Sequence, residues 1–128
     1  MTRHSNAPTA RQHLGHQSEQ LAVQMLTSQG YRIEGTNVRF PVGEIDIVAW
    51  EGTTLCFIEV RSSSSEQWGG PLATIDHRKR RHIIQAARWY LSRRRELPPE
   101  MRFDVVAVDW STTREPHLEL IRGAFDAS

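Results

Sequence analysis

The chain contains one cysteine, Cys56, and one lysine, Lys79, among 128 residues. A single thiol excludes an intrachain disulfide and any zinc site built from several cysteines. With Ile58 and Val60 on its side of a strand, Cys56 is expected to be a small buried apolar residue. No apolar run nears the roughly 20 residues needed to span a bilayer, so no membrane partner is expected. Residues 1–8 are polar and carry no apolar segment, so no secretory leader is expected and a cytoplasmic location follows. An excess of one charge is also missing, since 16 basic residues stand against 15 acidic ones. Overall charge therefore announces no nucleic-acid binder. Hydrophobic residues at 38% and charged residues at 24% are ordinary for a globular protein. The length suits one core without staples: a flexible tail over residues 1–9 and a single domain over residues 10–128.

Periodicity supplies the elements. Over residues 10–29, Leu14, Ser18, Leu21, Ala22, Met25 and Leu26 recur at helical spacing, and Gly30 is a natural stop. Glu19 follows Ser18 on the apolar edge of that helix. Residues 31–40 read as a strand ended by Pro41, and residues 42–50 and 53–63 as a hairpin. A helix is expected over residues 74–95, with Asp76 or Thr74 near its cap. Its apolar stripe is Ile83, Ile84, Ala87 and Leu91, with Tyr90 alongside, and Leu97-Pro98-Pro99 ends it. Residues 102–110 and 117–121 read as two further strands. The order is αβββαβ with a last short strand, an α/β fold in which helices pack on a mixed sheet. Between the hairpin and the second helix, four serines lead into Glu66, Gln67, Trp68, Gly69 and Gly70. That segment reads equally as a substrate-binding loop or a solvated connection.

Chemistry concentrates in the hairpin. Glu51-Gly52 suits a two-residue turn, with Trp50 facing Thr53. Side chains alternate along strands, so Glu44, Asp46 and Val48 then share a face with Leu55, Phe57, Glu59 and Arg61. Glu44 is expected opposite Glu59, with Asp46 on the diagonal. Like charges across a ladder are destabilising, and carboxylates on a half-apolar face are costly unless compensated. A divalent cation is the simplest compensation. Asp46 and Glu59 offer hard oxygens suited to Mg²⁺ or Mn²⁺, which would lower the pKa of a bound water and neutralise charge on a phosphate. Arg61 is placed to bind that phosphate or orient a nucleophile. Glu44 and Glu19 are candidates to support the ligands or hold a second ion. The alternative is a set of solvated acids with no further role.

Eight of the 16 basic residues fall between positions 78 and 95. Arg78, Lys79, Arg80, Arg81 and Arg88 are candidates for contacts to a nucleic-acid backbone, and a plain solvated helix face is the alternative. Trp68 and Trp89 are candidates to stack on unpaired bases, with packing the alternative for Trp89. His77 and His82, five positions apart on a helix, lack zinc-ligand spacing.

The landmarks Glu19 with Ala22, Gly30-Tyr31, Asn37-Val38-Arg39, Gly43-Glu44-Ile45-Asp46, Phe57-Ile58-Glu59-Val60, Lys79, Arg102-Phe103-Asp104-Val105 and Ala124-Phe125 form a specific set. Through them the chain resembles uncharacterised protein family 0102, the YraN-like proteins, over residues 15–125. That family is similar to the PD-(D/E)xK, restriction-endonuclease-like superfamily and to archaeal Holliday-junction resolvases. The resemblance implies an αβββαβ core, a Mg²⁺ or Mn²⁺ held by Asp46 and Glu59, and a nucleic-acid substrate, DNA ahead of RNA. It also implies that a first-helix acid, here Glu19, joins the site. Resolvase-like relatives act as dimers, so a homodimer is an open expectation, although no residue here marks a dimer face. Three positions depart from the family pattern: Arg61 stands in place of lysine, Ser63 in place of arginine, and Ser18 in place of glycine. Arginine is always protonated, so Arg61 can clamp a phosphate bidentately but cannot act as a base. Three functions are therefore carried forward: a metal-dependent endonuclease on branched or arbitrary DNA, a catalytically silent nucleic-acid-binding module, and an interaction protein indifferent to nucleic acid.

Overall fold

Leu55-Cys56-Phe57-Ile58 is a continuous apolar run, the pattern of a strand covered on both faces. All four residues are buried at the centre of the sheet. The structure, a computed structural model, describes residues 10–63, 75–111 and 115–127. Its elements are α1 (Ala10–Ser28), β1 (Arg32–Phe40), β2 (Gly43–Glu51), β3 (Thr54–Ser63), α2 (His77–Ser92), β4 (Glu100–Asp109) and β5 (His117–Phe125). The strands lie side by side in sequence order, antiparallel except for β3 and β4. A parallel pair needs a crossover, and the segment carrying α2 supplies it. The expected αβββαβ order therefore stands, as a mixed five-stranded sheet with a helix on each face. The expected tail, and residues 64–74 with Trp68 and most of the serine-glycine segment, lie outside the described residues.

Two cores follow from strand alternation. On one face, Val48, Leu55, Phe57, Phe103, Val105 and Phe125 pack against Ile83, Ala86 and Ala87 of α2. On the other, Ile47, Ala49, Cys56, Ile58, Val106 and Val108 pack against Ala22 and Leu26 of α1. Burial pushes the Cys56 thiol up to about 12, the behaviour of an inert packing residue. Helix α2 starts where Asp76 accepts the Lys79 backbone N–H at 2.8 Å, a side-chain N-cap. Strand β5 runs four residues beyond its expected end, because Phe125 stacks on Phe103 with ring centroids 4.8 Å apart. Among the described residues no helix is long and apolar enough to cross a membrane.

A polar network that sequence reasoning did not single out closes the turn end of the hairpin. Asp104 is completely buried and accepts from Tyr31 Oη (3.0 Å), Arg102 Nε (2.7 Å) and the Gly123 N–H (2.9 Å). Arg102 also reaches Glu51 at 2.7 Å, and Arg122 forks onto the same carboxylate. Hydrogen bonds from Arg122 and then Arg102 hold the Glu51 carboxyl down at about 2. The network ties β2, β4 and β5 together with every partner accounted for. Asp104→Ala strands a guanidinium and a buried hydroxyl, so it is expected to lower stability by about 3 kcal/mol. Urea unfolding measures this, and a loss below about 1 kcal/mol would show the network to be dispensable.

Candidate metal centre

Strand β2 changes face at Asp46. Alternation puts Ile45 with Ile47 and Ala49 on the α1 side, yet Ile45 packs with Val48 in the α2 core. Strand β1 does the same one rung across: Gly35 pairs with Val48 and Thr36 with Ile47, but Val38, opposite Ile45, packs on the α2 side. Between Thr36 and Val38 lies Asn37, with φ 50, the one non-glycine residue at positive φ among those described. Asparagine tolerates this left-handed conformation better than most side chains. Both strands thus turn over at one rung, where Asn37 and Asp46 face each other. The expectation of unbroken alternation, with Glu44, Asp46 and Val48 on one face, is corrected accordingly.

The turnover also ends pairing with β3. The β2–β3 ladder stops at Ile47 opposite Ile58, and just beyond it the Val60 N–H donates to Asp46 Oδ2 at 2.8 Å. The turn itself is Gly52-Thr53, with Gly52 at φ 61 and Glu51 opposite Thr54. This differs from the expected Trp50–Thr53 pairing by two positions, which preserves faces but changes partners. Carried past Ile58, the register sets Asp46 across from Glu59, and Glu44 no longer faces that residue. Glu44 instead lies at the rim, paired with Arg39 on β1 at 3.4 Å. Gly43 is needed beside it because α2 comes close: a Cβ there would lie 2.9 Å from the His82 carbonyl oxygen.

Glu59 is only 7% exposed and lies beside the Asp46 carboxylate. Burial, followed by the Asp46 carboxylate, drives its pKa well above the usual carboxylate range, against the opposing charges of Lys79 and Arg61. Its Oε2 is buried with no hydrogen-bond partner among the described residues, and Lys79 Nζ stands 3.9 Å away. Arg61, half-buried two positions further on, falls on the same face by strand alternation. Glu19 approaches Asp46 from α1. Partial burial raises its pKa, with Asp46 and Glu44 adding and the Asn37 amide opposing. Helix α1 is pinned one residue earlier: the buried Ser18 hydroxyl donates to Leu14 O (2.7 Å) and accepts from Trp110 Nε1 (2.8 Å). The serine that departs from the family's glycine therefore fills a specific contact. A hollow of about 410 Å³ opens beside Glu19, lined also by His16, Gln20, Val23 and Asn37.

Asp46, Glu59 and Glu19 are thus brought into one electrostatic cluster, with Arg61 and Lys79 beside it and Glu44 at its edge. Among the described residues no three His, Cys, Asp or Glu side chains converge tightly enough to ligate an ion on their own. The expected basic track divides. Lys79 turns to Glu59, while Arg80 donates to Ile75 O at 2.7 Å and lies over Phe125. Arg80, Arg81 and Arg88 line a separate cavity of about 390 Å³ next to Asp126, and Arg78 is exposed. Sequence reasoning missed Asn37 as a structural residue. The signal was an asparagine set between Thr36 and Val38 inside a strand, where side chains of its kind are depleted.

A mixed sheet with an αβββαβ core is the architecture that the resemblance implied. The chain belongs to Uncharacterised protein family UPF0102, whose sequence model matches residues 18–108. It is 46% identical over 118 residues to a UPF0102 protein of Desulfosudis oleivorans, covering 92% of this chain and 94% of that one. It is 44% identical over 117 residues to a UPF0102 protein of Moorella thermoacetica, covering 90% and 97% respectively.

Two outcomes follow from this geometry. Asn37→Gly keeps the positive φ without strain, whereas Asn37→Ala is expected to be less stable than Asn37→Gly by about 1 kcal/mol. Equal denaturation midpoints for the two would contradict the paired turnover. For Glu59, a carboxyl that binds its proton more tightly folded than unfolded stabilises the fold while protonated. That contribution is complete below its ordinary value of 4.5 and is lost as pH rises towards the folded-state value. Glu59→Gln should therefore raise the melting temperature in EDTA at pH 7 and flatten the decline above pH about 4.5. An unchanged slope would remove Glu59 as its source.

Proposed function

We propose that this protein is a Mg²⁺- or Mn²⁺-dependent endonuclease that hydrolyses phosphodiester bonds in nucleic acid, with DNA of branched or arbitrary sequence as the expected substrate. The observation that carries this reading is the buried Glu59 set against the half-buried Asp46, with an orphaned Glu59 oxygen and the chain's one lysine beside it. Two carboxylates forced together at a distorted rung disfavour the fold unless a proton or a cation sits between them. Such stored strain and pKa displacement are characteristic of sites that bind or react. The donor set fits a hard cation, since Mg²⁺ is commonly held by one or two carboxylates and completed by substrate phosphate and water. When bound, the ion would lower the pKa of a water and neutralise charge on the scissile phosphate.

The other roles belong to the chain. Asp46, fixed by the Val60 N–H, and Glu59, relieved of its proton, would be the two ligands. Glu19, one residue after the Ser18–Trp110 contact that pins α1, backs Asp46 from the α1 side. Arg61 clamps a phosphate but cannot release its own proton. Lys79 supplies what Arg61 lacks: a compact point charge on a flexible stem, able to orient the attacking water or hold the phosphate. A lysine reaching the carboxylates from α2 thus stands in for the lysine absent from β3. The catalytically silent binding module remains the second reading, favoured by Arg61 at the motif position.

Incubation of the pure protein with branched, single-stranded and duplex DNA plus Mn²⁺ decides between them. Cleavage should fall by on the order of a hundredfold or more in Asp46→Ala and strongly in Lys79→Ala. Cleavage persisting in Asp46→Ala would overturn the site, whereas binding without cleavage, restored by Arg61→Lys, would establish the silent module. Millimolar Mn²⁺ should also raise the melting temperature by several degrees in the wild type and not in Asp46→Ala.

A further inference from the structure

We infer that the β1 edge of the molecule carries a stacking platform for unpaired nucleotides, built on Trp89 and Phe40 and bordered by Arg93 and Arg39. It rests on the nucleic-acid reading above and specifies the form of substrate: single-stranded segments, or the open strands of a branched structure, in preference to continuous duplex. The sequence left Trp89 between stacking and packing. Its indole is 44% exposed and belongs to neither core. Its contact is Phe40, with ring centroids 6.1 Å apart and planes 27° from parallel. Phe40 is itself held, because it packs against the α2 core and the Arg93 guanidinium lies over it at 5.5 Å. The outer ring is thus backed by a fixed one, so little conformational entropy is lost when a further flat ring is added.

The surroundings suit a polyanion. Val38, Arg39, Phe40, Tyr90, Arg93 and Arg94 line a hollow of about 410 Å³. Arg94 is neutralised by Glu34 at 2.8 Å, and Glu34 also accepts from Tyr90 Oη and Trp50 Nε1. That network fixes the floor and leaves Arg93 as the charge at the rim, with Arg39 paired to Glu44 beside it. No acid occurs from residue 77 to residue 95. A duplex hides its base faces, whereas an unpaired base offers a π-face to an aromatic ring and its phosphate to an arginine. The platform also adjoins the candidate centre. Arg39 pairs with Glu44, Phe40 pairs with Gly43 at the hairpin tip, and Asp46 lies three residues further along β2. One strand passing over that tip would meet both.

The test uses the full-length protein in EDTA, so that nothing is cut, and fluorescein-labelled oligothymidylate read by anisotropy at low salt. Wild-type protein should bind the single strand more tightly than a blunt duplex of equal length. Trp89→Ala should weaken that binding by about tenfold or more, and Trp89→Phe should retain most of it. Arg93→Ala should reduce the slope of log affinity against log salt by about 0.7, the share of one phosphate on a single strand. Melting curves of each variant show that the fold is intact. Equal affinity for duplex, or unchanged binding by Trp89→Ala, overturns the platform. The Mn²⁺ melting shift of the same preparations reads the carboxylate pair separately, so failure of the platform and failure of the metal site are distinguishable.

Discussion

The hydrogen bond from the Val60 N–H to the Asp46 carboxylate is the contact on which the candidate centre depends. It marks the rung where β2 leaves β3, and it satisfies with a side chain a backbone donor beyond the end of the β2–β3 ladder. A regular hairpin would have carried backbone pairing through this position and pointed Asp46 along the ordinary alternation. The positive φ at Asn37 lets β1 follow β2 through the same turnover, so the two strands remain paired while their faces exchange. Ile45 and Val38 then close over α2, and the carboxylate enters the opening between β2 and β3. One backbone irregularity therefore gives the tip of the hairpin its packing and Asp46 its orientation.

The two polar ends of the sheet show what this irregularity is for. At the turn end, Asp104, Arg102, Tyr31, Glu51 and Arg122 satisfy one another, and Glu51 is held ionised. Burial there is matched by partners, which is how a polar network comes to rigidify a fold. At the opening of the hairpin the balance is reversed. Glu59 is almost as buried, yet among the described residues one oxygen has no hydrogen-bond partner, and Lys79 stands 3.9 Å from it. The first arrangement stabilises the protein by itself, and the second leaves a buried carboxylate uncompensated. Family membership adds breadth but no chemistry, since the matched relatives are named only for the family.

Much of this was legible in the residues. The apolar periods placed both helices and all five strands, and Asp76 was one of two candidates for the cap of α2. Asp46, Glu59 and Glu19 stood out as acids in apolar settings. The register did not follow, because Glu51-Gly52 and Gly52-Thr53 both satisfy a two-residue turn and preserve the same faces. Nor did the turnover at Asn37, since alternation assumes that every residue in a strand is extended. Lys79 and Trp89 were both noticed, but their partners, Glu59 and Phe40, come from elements distant in sequence. Helical spacing tells which residues share a face and not what lies across from it.

Sequence alone therefore determined the inventory: a mixed αβββαβ sheet, an acidic hairpin, a basic helix, and an arginine where the family carries lysine. These are local matters of period, propensity and side-chain chemistry. Tertiary structure decided the pairings. It set Asp46 beside Glu59 and moved Glu44 to the rim. It brought Lys79 to the carboxylates while Arg80, Arg81 and Arg88 turned elsewhere, and it left Trp89 stacked in the open. Burial and the balance of charge are properties of what packs against a residue, and packing exists only once distant segments have met.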